Sequence, residues 1–332
     1  LAHAGSLQAL INALAKTTYH TAIEAALVRA TGMDCVSRAL GRDLTDTLSR
    51  ARTFYRGRPA ELVSVVLRAY DVGNLKTILR GLSKHAAPDE IAAALLPAGE
   101  LMPSLLSRLA RAPEPRAAID MLATMRLPIA RPLLKLRAEQ PGAGPFAMEI
   151  ALDQWRFEHA FNTVKKARRG ARVLRPALEL EADLTNLLTA LRFAHAPAER
   201  QLLRRRIGSD DLSRLFVGPG SLPFALLVRI GELDRPEGAA ELLSGTPYGS
   251  PLGAGLASYS QSGRLSDLEK ELRRFRLHWM ARLIIRDPLG IGVPLGYFAL
   301  KINEVSNLHW VAQGINLGLS VDAIKAELEF IA

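Results

Sequence analysis

Tyr70-Asp71-Val72-Gly73-Asn74-Leu75, Ala182-Asp183-Leu184-Thr185-Asn186-Leu187 and Asn303-Glu304-Val305-Ser306-Asn307-Leu308 align without gaps, each an acid, two spacers and Asn-Leu. The acids stand 112 and then 121 positions apart, close to a third of the 332 residues. A fixed internal period sets the architecture and is read before any single motif. On an α-helix the acid and the Asn, three residues apart, share a face, and the Leu at the fourth position joins them. A short acid and an Asn are poor helix formers, so a tertiary contact is expected to retain them. The expectation is that Asp71 with Asn74, Asp183 with Asn186 and Glu304 with Asn307 bind orphan backbone groups of a loop in their own module, the loop that carries a Leu-x-x-Thr element.

That element is Leu14-Ala15-Lys16-Thr17-Thr18-Tyr19 and Leu243-Ser244-Gly245-Thr246-Pro247-Tyr248, with a degenerate copy, Leu122 to Leu127, that has Met125 in place of the Thr. Its last residue precedes the next acid by 52, 56 and 56 positions. A third element, Gly99-Glu100-Leu101 with Pro103 and Gly220-Ser221-Leu222 with Pro223, recurs at a spacing of 121. Subtracting the first interval of the Thr element puts its first copy before residue 1, so the first module is expected to be clipped at its start. The resulting modules are 1–94, 95–204 and 205–332. Nine residues after the acids stand Arg80, Arg192 and Gln313, which at about 100° per residue lie on the opposite helix face and are candidates for a common surface.

Outward from the repeat, apolar residues recur at helical spacing in Ser6 to Leu14, Leu62 to Leu79, Leu178 to Leu191, Asp267 to Leu283 and Val321 to Leu328. Gly and Pro clusters at Ala86 to Pro88, Pro97 to Pro103, Pro141 to Pro145, Val217 to Pro223, Gly245 to Gly255 and Asp287 to Pro294 read as connections. No alternating β-branched run reads as a strand, so the chain is expected to be all-α. With 48% hydrophobic and 23% charged residues it is globular, and 6% aromatics argue against an all-β fold. The longest uncharged apolar run, Pro288 to Leu300, is interrupted by Gly and Pro and is too short to span a bilayer. One cysteine, Cys35, cannot form an internal disulfide, which suits a reducing, cytoplasmic setting.

The net charge of +10 makes an anionic partner plausible, and Lys165 to Arg206, with 11 Lys+Arg against 4 Asp+Glu, carries most of it. Nucleic acid is one reading of Lys165-Lys166-Ala167-Arg168-Arg169 and Arg204-Arg205-Arg206. A solvated face, a protein interface or lipid headgroup contact are others, and no aromatic interleaving supports nucleic acid. Enzyme readings find little footing. Cys35 lacks a neighbouring His and reads as a small buried hydrophobe. The seven His residues show no metal-ligand spacing, and the Gly290 to Gly296 stretch lacks the Lys-Ser/Thr of a phosphate loop. Trp155, Trp279 and Trp310 read as core anchors before partner contacts.

Taken together, the acid-x-x-Asn-Leu helices, Leu243 to Tyr248, and Arg286-Asp287-Pro288-Leu289-Gly290-Ile291-Gly292 running into Tyr297 and Asn307-Leu308 resemble the C subunit of prokaryotic V-type (A-type) rotary ATPases, the relative of the d subunit of eukaryotic vacuolar ATPases. The likeness spans nearly the whole chain. It implies three similar helical modules with pseudo-threefold symmetry, arranged as a funnel. It further implies a non-catalytic protein without a cofactor, on the cytoplasmic face of the membrane. Such a protein is a monomer within its complex, seats the shaft formed by the D and F subunits, and rests on the proteolipid ring. Arg80 and Arg192 are then candidate shaft contacts. The alternative is a helical-repeat scaffold for an anionic partner such as nucleic acid.

Overall fold

The computed structural model describes residues 1–165 and 171–331, and among them it contains helices and turns but no strand. The sequence therefore builds an all-α protein. Lys166, Ala167, Arg168 and Arg169 of the basic stretch lie outside the described residues.

Two compact units form, one from Leu1–Ala112 with Ala281–Ala332, the other from Pro113–Met280. In the first, the long helices Gly32–Thr53, Arg58–Ser83 and Gly292–Asn316 are joined by shorter ones, among them Leu7–Leu14, His20–Leu27, Pro88–Ala93 and Val321–Ala326. In the second, Pro145–Lys165, Ala171–His195 and Leu265–Ala281 are the long elements, accompanied by Phe224–Gly231 and Gly249–Ser262. Local chemistry marks their starts. Ser6 and Ser320 accept the N–H of Ala9 and Ala323 as N-caps, and Pro88, Pro103, Pro115 and Pro197 open helices, where a missing N–H costs nothing.

Each unit closes on its own apolar clusters. In the first, Leu10, Ile11, Leu14, Ile23, Val36 and Leu40 pack with Val311, Ala312 and Ile324, so the beginning and end of the chain share one core. A neighbouring cluster joins Leu44, Leu48, Val63, Leu67 and Phe298. In the second unit, Leu187, Leu191, Leu227, Ile230, Leu243, Leu252 and Leu268 form the largest share. Each fully buried Leu or Ile contributes about 1.5–3 kcal/mol relative to exposure, so these clusters dominate the fold's energetics.

Two Gly/Pro clusters differ from the sequence reading. Gly249–Ser262 is a helix that begins inside the Gly245 to Gly255 stretch, and Gly292–Asn316 takes in the last residues of the 287–294 cluster. At Gly249 a Cβ would come within 2.6 Å of the Leu243 carbonyl oxygen, so close packing, not a turn, retains that glycine. The compact units also cross the sequence-defined modules, because the acid helix of one module is bound by the opening loop of the next.

Candidate functional site

The three acid and Asn pairs make the most fully determined polar constellation of the molecule. Asp71 is 2% exposed, and its carboxylate accepts the N–H of Glu100 at 2.8 Å and of Leu101 at 2.9 Å. Asp183 is 0% exposed and accepts the N–H of Ser221 and of Leu222, both at 3.0 Å, together with the Ser221 hydroxyl and the Tyr248 hydroxyl, the last at 2.8 Å. Glu304 receives the Tyr19 hydroxyl at 2.6 Å and the Lys301 ammonium at 3.1 Å.

The Asn residues behave more uniformly. Asn74 accepts the Leu96 N–H and donates to the Leu96 carbonyl, both at 2.8 Å. Asn307 does the same to Glu329, at 3.1 and 2.8 Å, and Asn186 accepts from Val217 and donates to Gly218 at 2.8 and 3.0 Å. Each amide thus replaces a missing peptide partner, since Asn carries both a donor and an acceptor. A loop with no regular structure of its own gains the backbone bonds it lacks.

This geometry corrects the expectation about the loop. The bound backbone does not belong to the Leu-x-x-Thr element of the same module. It belongs to the Gly-x-Leu element that opens the next, Gly99 to Leu101 for Asp71 and Gly220 to Leu222 for Asp183. The Thr element serves differently. Thr17 donates to the Leu14 carbonyl at 2.7 Å and accepts the Tyr19 N–H, and Thr246 repeats this with Leu243 and Tyr248. Each turn aims its tyrosine at an acid from the preceding module, Tyr248 at Asp183 and, 285 positions from it in sequence, Tyr19 at Glu304.

Glycine is required where the carboxylates approach. A Cβ at Gly99 would stand 2.1 Å from Asp71 Oδ1, and one at Gly220 would stand 1.9 Å from Asp183 Oδ1 and 2.9 Å from the Glu179 carbonyl oxygen. A further repeat escaped the sequence reading. Gly81 and Gly314, each ten residues after an acid, lie against Ile91 and Ile324 of the following short helix. In the middle module Phe193 occupies that position, which hid the pattern.

Electrostatics follow burial. Burial raises the Asp71 carboxyl above the usual aspartate range, against the lowering effect of its two backbone N–H bonds. Burial also raises the Tyr19 and Tyr248 phenols, helped by the neighbouring Glu304 and Asp183, so both remain donors. At Lys301 burial pulls the ammonium down, but bonds to Asp43, Tyr19 and Glu304 outweigh it and hold the charge in place. Lys301 lies 2.8 Å from Asp43 and over the Tyr19 ring, completing a four-residue cluster.

The other sequence candidates fall as follows. Arg192 pairs with Glu269 at 2.9 Å while 63% of its side chain stays exposed, Arg80 is exposed, and Gln313 is half-buried. Within the basic stretch Arg200 is buried and donates to the carbonyls of Gly231 and Leu233, Arg204 pairs with Glu232, and Arg175 with Glu179. Arg200 and Arg204 are therefore engaged inside the fold, while Arg175 and Arg192 pair at the surface. Cys35 is fully buried, its thiol raised first by burial and then by Asp34. Trp155 and Trp279 are half-buried, whereas Trp310 is exposed and anchors no core. Among the described residues no group of His, Cys, Asp and Glu forms a metal site, and no helix is long and apolar enough to cross a membrane.

The chain is similar to the C subunit of the A-type ATP synthase of Haloferax volcanii, at 27% identity over 94% of this chain and 86% of that protein. It is also similar to the corresponding A-type C subunit of Methanosarcina barkeri, at 27% identity over 95% and 83% of the two chains. The C subunit of the V-type ATP synthase of Deinococcus radiodurans is 24% identical over 98% and 83%. Residues 1–327 match the family model described as ATP synthase (C/AC39) subunit. Matched over nearly its whole length, the chain is a member of the ATP synthase (C/AC39) subunit family.

Proposed function

We propose that this chain is the central-rotor adaptor of its ATPase, joining the shaft of the D and F subunits to the membrane proteolipid ring. It transmits torque for proton or sodium transport coupled to ATP synthesis or hydrolysis. Its modules, 1–94, 95–204 and 205–332, stand about a pseudo-threefold axis as a funnel on the cytoplasmic face, one copy per complex. The family membership supports the assembly.

The observation that carries the mechanical reading is that each acid reaches out of its own module. Asp71 binds the loop opening the second, Asp183 binds the loop and tyrosine of the third, and Glu304 returns to Tyr19 of the first. A body that carries torque must resist shear between its parts, and hydrogen bonds to the acids, buried at Asp71 and Asp183, resist sliding better than apolar contact alone. Several anchoring points per partner also suit a rotor part that must not slip.

Arg80 and Arg192 are proposed to touch the shaft. The Arg192 pair with Glu269 is exposed and worth under about 1 kcal/mol, so a partner carboxylate competes for it readily. The test is copurification of this chain with the shaft and with the detergent-solubilised ring. Arg80→Glu combined with Arg192→Glu is expected to weaken shaft binding about tenfold or more with little change in Tm. Unchanged shaft affinity removes the two arginines from the interface. Salt-dependent duplex DNA binding without ring or shaft binding overturns the adaptor reading in favour of an anionic-partner scaffold.

A further inference from the structure

One end of the Leu1–Ala112 and Ala281–Ala332 unit is built differently from the other. The turn after the Gly32–Thr53 helix holds Phe54 75% exposed, and before the Gly292–Asn316 helix the short helix Leu283–Arg286 holds Ile285 at 82% and the turn after it holds Leu289 wholly exposed. These turns share one end. Arg50, near the close of the first helix, and Tyr297, near the start of the second, line the same pocket, and Ala51, Tyr55, Val63 and Phe298 belong to one apolar cluster. Val63 and Phe298 each lie within about 9 Å of their helix starts, at 1.5 Å per residue.

The tips are held outward by the residues beside them. In the first turn Tyr55 packs inward while Phe54 projects. In the second, Leu283 and Ile291 are buried while Ile285 and Leu289 project between them. Asp287 accepts the Gly292 N–H at 2.9 Å and fixes that turn. The two connecting segments themselves are basic, although Asp43, Asp46 and Glu304 line the pocket beside Arg50. Arg50, Arg56, Arg282 and Arg286 are exposed, and none has an ion-pair partner among the described residues. Between Thr47 and Ala60 there is no acid, and between Arg282 and Asn303 only Asp287, already bound to backbone.

The opposite end also shows apolar side chains, Val28 and Leu317, but there exposed groups of both signs accompany them, Arg29 and Lys325 with Glu24, Asp322 and Glu327.

We infer that the Phe54 and Ile285/Leu289 turns form a bilayer-docking face, whose apolar tips enter the headgroup boundary of an anionic membrane while Arg50, Arg56, Arg282 and Arg286 bind lipid phosphates. Single apolar tips flanked by arginines fit a soft, anionic, partly apolar surface: the tips gain by leaving water, and each cation adds attraction near the surface. Arginine suits this place because its fork binds phosphate oxygens in pairs. The inference goes beyond the adaptor reading and does not depend on shaft binding.

The test is cosedimentation of the full chain with vesicles of phosphatidylglycerol and phosphatidylcholine, against phosphatidylcholine alone. The wild type is expected to partition onto the anionic vesicles and to release with rising salt. Replacing Phe54, Ile285 and Leu289 by Ser is expected to lower partitioning about tenfold or more. Arg56→Glu with Arg286→Glu is expected to lower it at least as much and to abolish the salt response. All these side chains are exposed, so unchanged circular dichroism and Tm separate the effect from misfolding. Wild-type chain that ignores anionic vesicles overturns the inference, as do variants that partition equally well. Variants that lose ring binding while the wild type ignores vesicles assign the same tips to a protein surface, and so overturn it too.

Discussion

The Asp183 and Asp71 clasps start from the same five-residue pattern and end with different strengths. Asp183 collects four donors, two backbone N–H groups and the hydroxyls of Ser221 and Tyr248, and is fully buried. Asp71 collects two backbone N–H groups, and burial lifts its carboxyl toward the protonated form. In the sequence repeat the position of Tyr248 is held in the preceding copy by Leu127, which has no hydroxyl. Glu304, one methylene longer, takes a tyrosine and a lysine instead of loop N–H groups. The Asn contact is the constant part and the acid is the adjustable part, so the repeated motif keeps its loop recognition while varying how firmly each module boundary is locked.

The comparison breaks most readily at the acids. Asp183→Ala leaves four donors without their acceptor and is expected to cost about 4 kcal/mol, whereas Asp71→Ala, with two, costs about 2 kcal/mol, at about 1–3 kcal/mol per stranded buried group less partial relaxation. Urea unfolding measures both, and equal losses would show that the extra hydroxyls add nothing. Gly220→Ala comes next, at about 2–3 kcal/mol, because the new methyl must displace both the Asp183 carboxylate and the Glu179 carbonyl. Gly99→Ala meets the Asp71 side chain first, with no backbone atom among the nearest three, and is expected to cost less, a ranking that thermal melts decide.

Tyr248→Phe removes one donor and nothing else from the stronger clasp, and about 1–2 kcal/mol is expected. A loss as large as that of Asp183→Ala would mean that the tyrosine, not the loop, carries the site. The smallest effect is the pH dependence of the weaker clasp. Because the folded Asp71 carboxyl sits above its ordinary value of 3.8, its contribution is full below that value and is lost as pH rises through the raised folded one. Asp71→Asn, which keeps an acceptor but does not titrate, is therefore expected to gain on the wild type as unfolding is measured at increasing pH from about 4. A stability gap that stays constant with pH would place the folded and unfolded Asp71 at the same affinity for protons.

The helices were legible in the sequence where apolar spacing was regular, as in the Arg58–Ser83 and Ala171–His195 elements. They were missed where glycine serves packing, as at Gly249. The acid and Asn pairs were legible because polar residues recurring inside apolar helices demand a tertiary reason. Their partners were not. Whether Asp183 binds its own Thr element or the Gly-x-Leu loop beyond it depends on which backbone N–H groups are left unpaired after packing, and spacing carries no information on that.

By itself the sequence determined the helical class, the three-copy period and the identity of the six clasp residues, because periodicity and misplaced polarity are local properties. Tertiary structure decided that Asp71 and Asp183 bind the Gly-x-Leu loops that follow them, that Tyr19 meets Glu304 from the other end of the chain, and that the arginines of the basic stretch divide between internal pairs and solvent. Those outcomes turn on distances of about 3 Å between residues far apart in sequence, where one hydrogen bond more or less is set by how the helices pack.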